Sequence, residues 1–190
     1  MTIGVLALQG DVREHLAALE RCEVEGVTVR TVDELNEVEG LIIPGGESTT
    51  IGKLMERYGL LEATQQRAQQ GMPIYGTCAG MILLAKDIVG SEQTRLGLMD
   101  IAVERNAYGR QIDSFEADLT VRGLGDLPVR GVFIRAPIVR RIAVGVEVLA
   151  EYEGVPVLVR QGNLLAGSFH PELADEVRVH RYFLSCCGRQ

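Results

Sequence analysis

The chain has 190 residues, of which 46% are hydrophobic, and it carries 26 acidic against 19 basic side chains for a formal net charge of -7. That length and apolar content suffice for one buried core, so we expect one domain over residues 1–190. The acidic balance, without any Lys/Arg cluster, excludes a broad nucleic-acid footprint, because phosphates are neutralised by clustered basic side chains.

The opening MTIGVLALQGD lacks a basic n-region and soon reaches a charge, so it reads as a first buried strand and not as a signal peptide. No apolar run approaches the roughly 18 residues of a membrane span. A cytoplasmic protein is expected, in which a reducing compartment keeps the thiols free. Strand-like runs of Val, Ile and Leu recur at 3–8, 27–32, 40–43 and 73–75 with helix-like stretches between them, which predicts a mainly parallel sheet. The helix after the first strand has Val12, Leu16 and Leu19 as its apolar stripe, and Asp11 with Glu14 reads as a capping-box pair. Further helices are predicted over 50–58 and 60–70, and another starts at Gly80 and carries residues 81–88. The second half changes to short strand candidates (IAVERN, EADLTV, GVFIRA, VEVLAEY, VPVLVRQ, LLAGSF), which predicts added antiparallel strands. Glu153-Gly154 is a candidate hairpin turn, and 177–187 a closing helix.

The chemistry centres on PIYGTCAGMILLA at 73–85, where Gly76 and Gly80 bracket Cys78 as G-x-C-x-G, the spacing of a nucleophile elbow with sulfur in place of a hydroxyl. At a helix start the unpaired N–H groups and the macrodipole favour a thiolate, and the N–H of Ala79 points where an oxyanion would form. A buried packing cysteine is the competing reading. SFHPE at 168–172 supplies a base and its orienter: Pro171 keeps His170 out of helical conformation, and in an extended segment His170 and Glu172 face the same way. Cys78, His170 and Glu172 together make a Cys-His-Glu triad. PGGEST at 44–49 lacks the phosphate-loop spacing. Its Gly45-Gly46 turn offers a second N–H to an oxyanion, and Glu47 and Ser48 offer polar contacts to a small substrate. The four cysteines show no C-x-x-C pair and the histidines are only three, so no metal site is expected.

With these residues the sequence resembles the class I glutamine amidotransferases. The set LALQGD, LIIPGGESTTI, YGTCAGMILLAK, VERNAYGRQIDSFEADL, GVFIRAP and SFHPE is similar, more narrowly, to the glutaminase subunits of pyridoxal 5'-phosphate synthases. The resemblance implies a flavodoxin-like three-layer α/β sandwich and the hydrolysis of L-glutamine to L-glutamate and ammonia through a γ-glutamyl thioester. Cys78 is then the nucleophile, His170 the general base and acid, and Glu172 its orienter. Glutamine is expected against Gly46, Glu47, Ser48, Arg105, Ile134 and Arg135, with Gly46 and Ala79 forming the oxyanion hole. An arginine is also the natural charge-assisted partner for the α-carboxylate of free glutamine. The resemblance further implies no cofactor and, as partner, a (βα)8-barrel synthase subunit that takes up the ammonia. Tyr108 stands where that family often has Phe, and CEVEG at 22–26 lacks the glycine usual after the cysteine. Two other classes stay open on the residues alone: a different cysteine hydrolase, such as a peptidase or deglycase, and a noncatalytic binding subunit on the same fold. Gln9 and Gly10, at the end of the first strand, are candidate sensors of the partner.

Overall fold

In the computed structural model, residues 1–105 and 114–188 are described. Most of the NAYGRQIDSF stretch, with Tyr108, lies outside them.

In chain order the elements are β1 (Thr2–Leu6), α1 (Val12–Arg21), β2 (Glu25–Val29), α2 (Val32–Asn36), β3 (Gly40–Ile43), α3 (Ser48–Arg57), α4 (Leu60–Gln69), β4 (Ile74–Thr77), α5 (Ala79–Leu84) and β5 (Ala85–Ile88). They continue with β6 (Met99–Glu104), β7 (Ser114–Leu119), β8 (Val129–Ile134), β9 (Ile138–Ile142), β10 (Glu147–Tyr152), β11 (Val155–Gln161), β12 (Leu164–Gly167), a 3-10 turn (Pro171–Leu173) and α6 (Arg178–Cys187). The main sheet has seven strands in the order β10-β11-β12-β4-β3-β1-β2. β2, β1, β3, β4 and β12 run parallel, and β11 and β10 extend the sheet antiparallel at one edge. This is the flavodoxin-like architecture implied by the resemblance.

The central strands are buried along their whole length because both faces are covered, which explains their nearly unbroken apolar sequences. Successive residues feed opposite cores. Leu41, Ile43 and Ile74 pack with Ile51, Met55 and Leu60 of α3 and α4, whereas Ile42, Tyr75 and Leu165 pack with Leu19 of α1 and Val179 and Phe183 of α6. The chain leaves β1 toward β2 on one side and β3 on the other, so the crevice at the carboxyl ends of β1 and β3 is the switch point where such sheets place ligands.

Several elements differ from the sequence expectations. The helix expected through 81–88 stops at Leu84: Ala85 is extended, and residues 85–88 pair in parallel with β6. The exposed Lys86 and Asp87 between buried Ala85 and Ile88 mark where the apolar helical pattern ends. The strand expected over 27–32 ends at Val29, because Thr31 opens α2 with a full capping box, its side chain accepting from the Glu34 N–H. β9 was not expected. The added strands are distributed: β5-β6-β9, with only β6 and β9 antiparallel, and the antiparallel pair β7-β8 form sheets of their own. Glu153 (φ 50°) and Gly154 (φ 77°) do form the β10–β11 turn.

Candidate active site

The segments that follow β1, β3, β4 and β12 each contribute to one cavity of about 420 Å³, lined by Asp11, Gly46, Glu47, Ser48, Cys78, Ile82, Arg105, Ile134, Arg135 and His170. The cavity brings together all the expected substrate contacts with Cys78 and His170, and adds Asp11 and Ile82. Glu172 lies behind His170, 6% exposed.

Cys78 sits between β4 and α5 with φ 47° and ψ -99°. A non-glycine residue in that region costs on the order of 1–3 kcal/mol and persists only where the surroundings enforce it. They do so by close packing: a Cβ on Gly80 would lie 2.2 Å from the Ile43 carbonyl oxygen, so only glycine lets the helix start press against β3. The backbone N–H of Cys78 donates to the Gly167 carbonyl at 2.7 Å, and its thiol donates to the Ile134 carbonyl at 3.8 Å. Ala79 is the first residue of α5, so its N–H belongs to the unpaired set at the helix start.

His170 follows β12, and its N–H donates to the Val132 carbonyl at 2.7 Å, an antiparallel bridge to β8. β8 therefore pins the histidine and also ends in Ile134, with Arg135 directly after it. The His170 ring directs Nδ1 at Glu172 Oε1 (2.8 Å) and Asp11 Oδ2 (3.4 Å). Burial works against a charged ring, but hydrogen bonds with Asp11, Cys78 and Glu172 outweigh it and raise the His170 pKa well above the ordinary imidazole value. For Glu172, burial favours the neutral acid, yet the contacts with His15 and His170 hold it well below the usual carboxylate range.

Asp11 does not act as the expected cap of α1: its side chain makes no capping hydrogen bond and instead faces His170. Asp11, His170 and Glu172 present ligand atoms within 4.8 Å of one another, a grouping that could approach a cation. Nδ1, however, sits between two carboxylate oxygens and must carry a proton to satisfy them, which removes the lone pair a metal would need.

The Gly45-Gly46 turn is held by the first-strand loop. The Gly45 carbonyl accepts from the Asp11 N–H at 3.2 Å, so in this trans peptide the Gly46 N–H lies on the opposite side. The Glu47 N–H donates to Gln9 Oε1 at 2.7 Å. The Glu47 carboxylate caps α3 by accepting from the N–H groups of Thr49 and Thr50, and it pairs with Arg105 at 3.4 Å. Arg105 also donates to Gln93 (2.5 Å) and Thr49 (3.1 Å). Arg135 is held at φ 45° beside the cavity. Sequence reasoning missed Asp11, Gln93 and Ile82 as parts of the site, since their roles arise from contacts far apart in the chain.

A strained thiol at the carboxyl edge of a flavodoxin-like sheet, with a histidine and a buried carboxylate beside it, has the make-up of a class I glutamine amidotransferase domain. A family model described as the SNO glutamine amidotransferase family matches residues 5–189, and the chain belongs to that family. It is 56% identical over 188 residues to the pyridoxal 5'-phosphate synthase subunit PdxT of Moorella thermoacetica, covering 99% of this chain and 100% of that one. It is 59% identical over 188 residues to the subunit of the same name from Thermus thermophilus, covering 98% and 97%. A solved structure described as a glutamine amidotransferase superposes with a TM-score of 0.94 at 56% identity, covering 98% of both chains.

Proposed function

We propose that this chain hydrolyses L-glutamine to L-glutamate and ammonia and supplies the ammonia to a synthase subunit that makes pyridoxal 5'-phosphate. The observation that carries this reading is the convergence of Cys78, His170, Gly46 and Arg105 on one cavity in a chain of the glutamine amidotransferase family. The near full-length similarity to subunits named for pyridoxal 5'-phosphate synthase supports the synthase as destination. The partner is read as a (βα)8-barrel subunit, and the setting as the cytoplasm, where a catalytic thiol stays reduced.

The Cys78 sulfur, as thiolate, attacks the side-chain amide carbon of glutamine, and the carbonyl electron pair moves to oxygen. The N–H groups of Gly46 and Ala79 receive that oxyanion. As the oxyanion collapses, the C–N bond breaks, and the imidazolium of His170 gives its proton to the departing nitrogen, releasing ammonia. Water then attacks the γ-glutamyl thioester with His170 taking its proton, and the C–S bond breaks to return Cys78 and release glutamate. Glu172 keeps the His170 ring oriented with Nδ1–H toward it, and its negative charge favours the imidazolium. Arg105 holds the α-carboxylate of glutamine, while Glu47, Ser48, Ile134 and Arg135 contact the rest of the substrate. The Cys78–Ile134 contact has to yield as substrate enters.

The test is glutamate release with and without the synthase subunit. Wild type should turn over glutamine, and Cys78→Ala should lose turnover while keeping its thermal midpoint. A Cys78→Ala variant of near wild-type activity would overturn the triad.

A further inference from the structure

Behind the triad lies a buried polar chain that the proposed mechanism does not use. His15, on the inner face of α1, is fully buried. Its Nε2 is 3.3 Å from Glu172 Oε1 and 3.0 Å from Thr77 Oγ1, and its Nδ1 is 3.0 Å from His180 Nε2 of α6. Thr77 directly precedes Cys78, so one imidazole touches both the strand that presents the thiol and the carboxylate that orients the histidine.

The partners fix where the protons sit. A lone pair on His15 Nε2 would face the Glu172 carboxylate 3.3 Å away, which is repulsive, so Nε2 carries a proton, in hydrogen-bond contact with Thr77 Oγ1 at 3.0 Å and beside the carboxylate. Nδ1 then accepts from the Nε2–H of His180, leaving the His180 Nδ1 as a buried acceptor without a partner among the described residues. The reverse arrangement would put a bare lone pair against Glu172 and bury an unpaired N–H on His180, the costlier kind of omission. His180 suits the role of a neutral donor, since burial lowers its pKa to about 3.

Glu172 Oε2 has no hydrogen-bond partner among the described residues. Both imidazoles therefore approach this carboxylate at Oε1, His170 Nδ1 by a hydrogen bond of 2.8 Å and His15 Nε2 by an ion-pair contact of 3.3 Å. With a single donor, a buried carboxylate is free to turn about its last torsion or to take up a proton.

We propose that His15 is a positioning residue for the glutaminase reaction: its Nε2–H fixes the charged Glu172 carboxylate in the orientation that aligns His170 with Cys78, and His180 holds His15 in the tautomer that does so. The inference rests on the triad of the preceding section.

The two amides that resemble the halves of imidazole separate this role from packing. Gln can present an N–H close to Nε2, whereas Asn presents one close to Nδ1 and leaves Glu172 without its second donor. The groups facing Glu172 are His170 with Asp11 beyond it, His15 on α1, Tyr75 on β4 and His180 on α6, and none but His15 changes in these variants. In the complete synthase complex, His15→Asn should lower kcat about ten- to a hundredfold with KM within about twofold, the size expected for one hydrogen bond to a charged group. Its acid limb of kcat/KM against pH should move to higher pH. His15→Gln should recover most of kcat and keep the wild-type limb. Equal losses in the two variants, or a His15→Asn enzyme with wild-type kcat and pH profile, would overturn the proposal. Cys78→Ala in the same assay keeps the two readings apart: if it stays active the triad itself fails, and if it is dead while His15→Asn is unaffected only the role of His15 fails.

Discussion

Glu172 and His170 shift each other's ionisation in opposite directions, and the consequence for stability has a definite sign. Glu172 is depressed below its ordinary value of 4.5, so its contribution is complete above that pH and is lost as pH falls toward its folded value. His170 is raised above 6.5, so its contribution is complete below that pH and is lost as pH rises toward its folded value. Together they stabilise the fold most between 4.5 and 6.5. Urea midpoints of the wild type should therefore decline on both sides of that window, and Glu172→Gln should flatten the acid side and weaken the alkaline one. Slopes identical to wild type would show that the pair is not what titrates. Arg105 allows a kinetic prediction at the same scale. If it holds the α-carboxylate equally in ground and transition states, Arg105→Ala should raise KM for glutamine by about one to two decades, the worth of a charge-assisted hydrogen bond of roughly 1.5–3 kcal/mol, and change kcat less. Steady-state kinetics reads the split directly, and unchanged KM would return Arg105 to a role within its own contacts to Gln93 and Thr49.

Helix α3 couples a local cap to the site. Glu47 accepts from the N–H groups of Thr49 and Thr50 and also pairs with Arg105, so one side chain ends the strand-to-helix loop and supports the guanidinium. Glu47→Ala should cost about 1 kcal/mol of stability, the usual worth of an N-cap, and should also raise KM because Arg105 loses a support. A stability loss with KM unchanged would separate the cap from the substrate contact. Element by element, what could be read from the sequence followed from how local its cause is. The elbow at Cys78 and the Glu153-Gly154 turn are dictated by residues within a few positions, and both have the expected local form. Pro171 keeps His170 out of helical conformation as expected, but residues 171–173 close into a 3-10 turn and not an extended segment, and that turn brings Glu172 back to His170 Nδ1. The Thr31–Glu34 capping box is local too, but the apolar run before it masked the break. The end of α5 at Leu84 is set by pairing of β5 with β6, more than ten residues on. The same distance hid His15, whose place in an apolar helix stripe gives no hint of a carboxylate contributed from beyond β12.

At the scale of the whole molecule, the site is assembled by strands that end on one edge of the sheet, and two loops there are tied to each other. The loop after β1 contributes Gln9 and Asp11, which hold the Glu47 N–H and the Gly45 carbonyl respectively. The peptide between Gly45 and Gly46 is thereby clamped from one side, and its N–H is the proposed oxyanion donor. Gly46 has φ 150°, and a Cβ there would meet Gln9 Oε1 at 2.6 Å, so the turn depends on glycine and on the position of Gln9 together. A peptide plane of this kind can rotate without moving Cys78 or His170, which makes it the most economical place for a partner to act: free-running hydrolysis would waste glutamine where no synthase takes up the ammonia. Docking of the synthase subunit against the β1 loop is expected to fix Gln9, and through it the orientation of the Gly46 N–H. Gln9→Ala should then lower partner-stimulated glutamate release about tenfold or more, in line with loss of one oxyanion donor, while alkylation of Cys78 by a small electrophile, which needs no oxyanion hole, keeps its wild-type rate. Both rates are measured on the same preparations, with and without the synthase subunit. Isolated chain that already shows full glutaminase activity, unchanged when the synthase subunit is added, would remove the partner from the mechanism, and an alkylation rate that falls in step with turnover would move Gln9 from the oxyanion hole to the thiol.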